Sequence, residues 1–390
     1  MPRWLLALAA GALVFYTDDY VIAGVLPEIA RSLEVSEGAA GQLVTVFSVT
    51  VAVAAPLAAV ATARFPRATV LISAALAFTA ANVGAALSPA FATLMALRVA
   101  AALAAATATP ALFATAARLA PPERTGRAVA AVAFGVTGAI AFGVPVGAWI
   151  GGAFGWRATF GAMAAAGALV ALGFAAALPR TEAEASPLPV RAQLAVLARP
   201  AISVGLIANV VLMSGSMMLL TYLAPFTAAL ANADVTDRGL LFAVSGLAGM
   251  AGIWAGGRAT DAWGPDRTLA AGVGAFVATM AALTALWTLR PVSLVPLLVV
   301  VMVWGGAAFW NSPAVQARLH LLAGAVATQA LALNTSGTYI GVAVGGGIGG
   351  AVLDTAGPGP LPLISGTAGL IALGLFIAAS RSRRREKSPT

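Results

Sequence analysis

Three ionisable side chains interrupt stretches that are otherwise apolar. Asp18 and Asp19 stand side by side in FYTDDYVIAG, inside a run that extends from Trp4 to Leu26, and Arg98 interrupts a second run in LMALRVAAALAAA. A charge at mid-bilayer costs at least ~2.5–3.5 kcal/mol, so such groups persist where they are paired or used. Burial favours the neutral form of an acid and a neighbouring guanidinium favours the carboxylate. A movement that changes either the hydration of the acid or its distance from Arg98 therefore takes up or releases a proton. One acid suffices to neutralise Arg98 in a purely structural pair. The second is left over, and reversible protonation within a hydrophobic solvent is the chemistry open to it.

Other chemistries lack their residues. The chain has no cysteine, which excludes disulfides, thiolate metal sites and thiol nucleophiles. Its single histidine, His320, falls beside Arg318 in a predicted loop, so neither a histidine metal cluster nor a Ser-His-Asp triad is available. No nucleophile–base constellation lies in the apolar runs. The expectation is a protein that is not an enzyme and has no metal and no cofactor, with protons as the coupling ion.

The elements that carry these charges are set by composition. The chain is 60% hydrophobic and 9% charged, whereas soluble domains carry about 25% charged residues. Apolar runs fall at about 4–26, 41–62, 68–88, 91–115, 128–150 and 158–178, then at 201–224, 239–257, 268–289, 292–316, 327–352 and 361–380. Each is about 20 residues, enough to span ~30 Å of hydrocarbon, and a lipid-exposed span of this kind must be a helix. The start of the chain, Arg3 followed by apolar residues and LAAGA, fits a secretory leader loosely. The run continues past the acids, however, and reads as the first helix. The expected fold is an all-α membrane protein with twelve transmembrane helices.

With the N-terminus inside, the cytoplasmic loops and tails hold Arg3, Arg64, Arg67, Arg118, Arg124, Arg127, Arg180, Arg191, Arg199, Arg258, Arg267, Arg318 and five basic residues of the tail, 17 of the 22 in the chain. Only Arg31, Arg157, Arg238 and Arg290 fall outside. This bias places both termini in the cytoplasm and accounts for the net charge of +8 without a nucleic-acid partner. In that orientation Asp18 and Asp19 lie about 11–12 Å below the outer end of helix 1, and Arg98 lies about 10 Å below that of helix 4. An acid–guanidinium pair is feasible if the two helices share a cavity.

The long polar stretch 179–200 divides the chain into a six-helix bundle (1–180), a cytoplasmic linker (181–200), a second bundle (201–380) and a basic cytoplasmic tail (381–390). An internal repeat runs through the halves at an offset of 198: Gly143, Gly147, Gly151 and Gly152 map onto Gly341, Gly345, Gly349 and Gly350, and Pro27 onto Pro225. Tandem halves of this kind are related by an axis along the membrane normal. Asp18 and Asp19 map onto Ser216 and Met217, which confines the proton chemistry to the first half.

Three motifs then carry a resemblance. The loop between helices 2 and 3, ATARFPRATV, is similar to the signature G-x-x-x-D-R-x-G-R-R, with Arg64 and Arg67 present but Ala63 and Pro66 in place of the aspartate and glycine. Its second copy, GGRATDAWGPDRT, keeps Asp261, Gly264 and Arg267. Helix 4 has its arginine, Arg98, with Ala102 where a glycine is expected. Helix 5 has GVTGAIAFGVPVGAWIGG, in which Gly143-Val144-Pro145 replaces a strict Gly-Pro. On these residues the whole chain resembles the major facilitator superfamily, and within it the twelve-helix drug:proton antiporters (bacterial exporters of the multidrug, chloramphenicol and sugar efflux type).

The resemblance implies the major facilitator fold, two pseudo-symmetric six-helix bundles that rock about a central cavity. It implies a cytoplasmic gate at Arg64, Arg67, Asp261, Gly264 and Arg267, and an export-linked helix 5 motif at Gly143, Pro145, Gly147, Gly151 and Gly152. An acid that precedes an aromatic and an aliphatic residue matches Asp19-Tyr20-Val21, which makes Asp19 the implied proton carrier and Asp18 a secondary or cation-attracting charge. Candidate cavity residues are Phe47, Asn82, Asn209, Met213, Met217, Tyr222, Trp304, Trp310, Asn311, Asn334 and Tyr339, each of which could equally serve helix packing. Aromatic and amide walls with few fixed charges suit lipophilic compounds with some polar groups.

The function expected is proton-coupled export of such small molecules from a bacterial cytoplasmic membrane by a multi-pass, monomeric carrier whose partners are its substrate and the lipid bilayer. The alternatives are a sugar or metabolite exporter, a proton-coupled importer on the same scaffold, and a membrane sensor that transports nothing.

Overall fold

A computed structural model describes residues 1–179 and 195–386. Twelve helices in it are long and apolar enough to cross a membrane. In the first half these are α1 (Arg3–Ser32), α2 (Glu37–Ala61), α3 (Arg67–Ala86), α4 (Phe91–Leu119), α5 (Thr125–Phe154) and α6 (Trp156–Ala177). In the second they are α7 (Pro200–Thr221), α8 (Val235–Trp263), α9 (Pro265–Thr288), α10 (Leu294–Ala323), α11 (Ala327–Ala356) and α12 (Leu361–Glu386). Among the described residues there is no β-strand. The body of the predicted 181–200 linker, residues 180–194, and the end of the tail, 387–390, lie outside the described residues.

The chain divides into two compact units, Met1–Leu188 and Pro189–Thr390. In the first, α1 packs on α2, α4, α5 and α6, while α3 packs on α4 and α6. In the second, α7 packs on α10, α11 and α12, while α9 packs on α10 and α12. The pairs α1–α5, α2–α4 and α3–α6 thus recur as α7–α11, α8–α10 and α9–α12, which is the helix-level form of the sequence repeat. Outward faces carry exposed apolar side chains such as Val53, Leu57, Leu169, Leu172, Leu363 and Leu370. Against lipid such surfaces gain nothing by burial, so the contacts between helices depend on close packing of small residues.

Local chemistry sets the boundaries. The Ser36 hydroxyl caps α2 by accepting from Ala39 N–H at 3.0 Å, and Asp234 and Asp237 form a reciprocal capping box at the start of α8. Such caps satisfy amides that the first helical turn leaves open. The connection from α8 to α9 is the single residue Gly264 at φ 79°. The repeat position in the first half is Pro66 at φ −56°. A proline ring cannot adopt a positive φ, so the α2–α3 connection is made by a longer turn over residues 62–66.

Some predicted boundaries move. α1 runs on through Pro27 to Ser32, six residues past the predicted end. Residues 381–386 of the predicted tail continue α12 as helix. Arg318 and His320 are helical, since α10 extends to Ala323, and this corrects the loop expected there. The physical reason is visible at Arg318. Its Nε donates to Asp266 Oδ1 at 2.9 Å and its Nη2 donates to Phe376 O at 3.1 Å, so the charge is buried with partners on α9 and α12.

Candidate functional site

Four helices of the first unit meet at the charges that the sequence singled out. Arg98 on α4 donates from Nη1 to Asp18 Oδ2 on α1 at 2.6 Å and from Nη2 to the Asp18 carbonyl oxygen at 3.1 Å. Its guanidinium carbon lies 4.3 Å from the centre of the Phe47 ring on α2. Asn82 on α3 lies beside the Asp18 carboxyl and donates from Nδ2 to Phe78 O at 3.1 Å. Asp18, Asp19, Phe47, Asn82 and Arg98 are all at most 2% exposed. Two atoms of the pair, Asp18 Oδ1 and Arg98 Nε, are buried without a hydrogen-bond partner among the described residues.

The depth match between helices 1 and 4 thus corresponds to a contact. Asp18, to which the sequence reading gave the secondary role, is the acid seated on Arg98. Asp19 is buried one position further along α1. Successive helical residues diverge by about 100°, which is why neighbouring acids have different surroundings.

The glycines of α5 hold this helix in place. A Cβ on Gly143 would strike the Thr17 hydroxyl oxygen, one on Gly147 the Val21 side chain, and one on Gly151 the Val25 side chain. The stripe therefore runs along α1 at the level of the acids, with Thr17 next to Asp18; Gly152, by contrast, is exposed. Just before Pro145 the helix widens into a π turn over Ala139–Gly143. A proline ring clashes with the carbonyl four residues back in a regular helix, and a wider turn relieves that crowding. The sequence signal for this was Pro145 alone, and neither the π turn nor Thr17 could be read from it.

In the second unit the corresponding stripe presses on backbone as well. Gly341 faces Val210 O and Met213, Gly345 faces Ser214 O, and Gly349 lies on the Tyr222 ring. The Tyr222 hydroxyl donates to Gly346 O at 2.7 Å, so this tyrosine, expected in the cavity, is clamped inside the unit. Asn209 donates to Thr338 Oγ1 at 3.1 Å and Asn334 O accepts from the same hydroxyl at 3.0 Å. Trp310 donates to Thr268 O at 3.0 Å, and Asn311 donates to Ala307 O at 3.1 Å. Met217, Trp304 and Tyr339 are buried, whereas Met213 is half-buried.

The gate residues lie at the turns. Arg64 is exposed, with its guanidinium carbon 5.2 Å from the centre of the Phe65 ring, Arg67 is buried, and Asp261 and Arg267 are exposed on either side of Gly264. Sequence reading missed the Arg318–Asp266 pair; its only trace was the position of Asp266 next to Arg267. Among the described residues no group of His, Cys, Asp and Glu could hold a metal ion.

Two six-helix units with a shared pairing pattern, the first with an acid–arginine pair buried on both sides, define a polytopic membrane carrier. The family follows from comparison. The model described as Major Facilitator Superfamily matches residues 8–328, and the chain belongs to that superfamily. It is a transporter of that fold and a multi-pass protein of the cell membrane. It is 29% identical over 371 residues to the MFS-type transporter YbcL of Bacillus subtilis (strain 168), with 95% of this chain and 92% of the relative covered. It is 33% identical over 386 residues to a chloramphenicol resistance protein of Streptomyces lividans, covering 97% and 95%. Among solved structures it is similar to a D-xylose-proton symporter, with a TM-score of 0.78 at 18% identity, covering 96% of each chain.

Proposed function

We propose that this chain exports small lipophilic compounds in exchange for protons by alternating access, as a monomer with both termini in the cytoplasm. The observation that carries the reading is the buried Asp18–Arg98 pair with a second buried acid, Asp19, next to it. Asp18 and Arg98 balance one another, and Asp19 is the acid that exchanges its proton with substrate. The relative named for chloramphenicol resistance supports export of a drug. One proton supplies about 1.4 kcal/mol per pH unit and ~2.3 kcal/mol per 100 mV. Exchange for a neutral compound then sustains a gradient on the order of a few hundredfold.

The test is chloramphenicol uptake into everted vesicles together with drug-induced proton release from the solubilised protein. Wild type is expected to accumulate drug only with an imposed proton gradient and to release protons on binding. Asp19→Asn is expected to abolish the release, with Asp18→Asn as the matched control. Proton release that persists in Asp19→Asn would remove that residue from the role, and accumulation in right-side-out vesicles alone would make the protein an importer.

A further inference from the structure

We propose that Phe47 is a positioning residue whose ring face pins the Arg98 guanidinium on Asp18 and so fixes which of two adjacent acids the cation holds. The inference rests on the proton-coupled reading above and assigns Phe47, expected in the substrate cavity, a different task.

Arg98 has three contacts here: the Asp18 carboxylate, the Asp18 carbonyl oxygen and the Phe47 face. Only the first can be lost to a proton. A cation over an aromatic face is attracted by the ring quadrupole, most strongly where water is excluded, and both side chains are fully buried. The other close arginine–aromatic pairs differ. Arg64, Arg258 and Arg290 are exposed and Arg157 is half-buried, and Arg318 sits 5.5 Å from the Phe376 ring centre and already has an acid and a carbonyl on other helices. Among the described residues Arg98 reaches no side-chain acceptor besides Asp18, and its Nε has no hydrogen-bond partner, so the ring is the one restraint on its direction that a residue other than Asp18 supplies.

The internal repeat supplies an independent observation. Asp18 and Phe47 correspond to Ser216 and Ser245 at the offset of 198, and Arg98, the eighth residue of α4, has the buried Val301 at the eighth position of α10. The second unit lacks the acid, the cation and the aromatic face together. Ser245 is itself buried against Gly305, where the α8–α10 contact is close enough to need no side chain at all.

Fluorination of the ring separates the two roles, because it drains the quadrupole at nearly constant shape. With mono-, di- and trifluorophenylalanine at position 47, chloramphenicol-induced proton release is expected to fall stepwise, to about a tenth of the wild-type rate in the trifluoro protein. Modification of Arg98 by phenylglyoxal, read by peptide mass spectrometry, is expected to rise in the same order. A flat series in both readouts overturns the role of Phe47 while leaving proton coupling intact. If wild type itself releases no protons, the proton-coupled reading fails and the labelling decides alone. Rising Arg98 reactivity then upholds the positioning role, and unchanged reactivity overturns it.

Discussion

At the scale of the residue, the Asp18–Arg98 pair stabilises through mutual dependence. Removing one member of a buried pair leaves an uncompensated charge and costs about 3–5 kcal/mol, whereas replacing both by uncharged groups is often close to neutral. Arg98→Ala is therefore expected to melt well below wild type in detergent, and Asp18→Asn/Arg98→Met to recover most of the loss. Equal melting of the single and double variants would show that the pair contributes nothing to stability. The pairing of an acid with Arg98 was legible in the sequence because depth along a helix follows from counting residues. Which acid was not legible, since 100° separates Asp18 from Asp19 and the rotation of α1 is set by partners such as Gly143 and Gly147. The contact of Phe47 with Arg98 was hidden for the same reason: position along α2 is readable, but the face it presents is not.

At the scale of the element, close packing sets α5 on α1. Gly143→Ala would drive a methyl group into Thr17, and overpacking of this kind costs about 1–3 kcal/mol. Gly161→Ala on α6 would meet nothing within 4 Å. The first variant is expected to lose melting temperature and transport, and the second to match wild type; equal behaviour would remove the glycine stripe as a determinant of the α1–α5 contact. All twelve spans were legible because ~20 apolar residues are a strong signal in lipid. Their ends were less so. α10 continues to Ala323 because Asp266 and the Phe376 carbonyl receive Arg318, and those partners lie 52 and 58 residues away in sequence. The two copies of the turn motif differ for a reason that is local and readable afterwards: Gly264 turns the chain in one residue, and Pro66 cannot.

At the scale of the whole molecule, the repeat and the composition made the architecture readable, because tandem six-helix halves impose the same order of pairing twice. What they did not reveal is how unequal the halves are inside. Level with the acids α5 meets side chains of α1 that can change rotamer, Thr17, Val21 and Val25, whereas Gly341 and Gly345 of α11 meet carbonyl oxygens of α7. Each unit nonetheless keeps its own ion pair, Asp18–Arg98 in one and Asp266–Arg318 in the other. Each also keeps its own seating for its first helix. Nothing in either set of contacts requires one continuous polypeptide. Residues 1–188 and 189–390, expressed from two genes in one cell, are therefore expected to insert as separate proteins and restore transport together, while neither does so alone. If neither fragment accumulates in the membrane, the covalent link is itself part of how this chain folds.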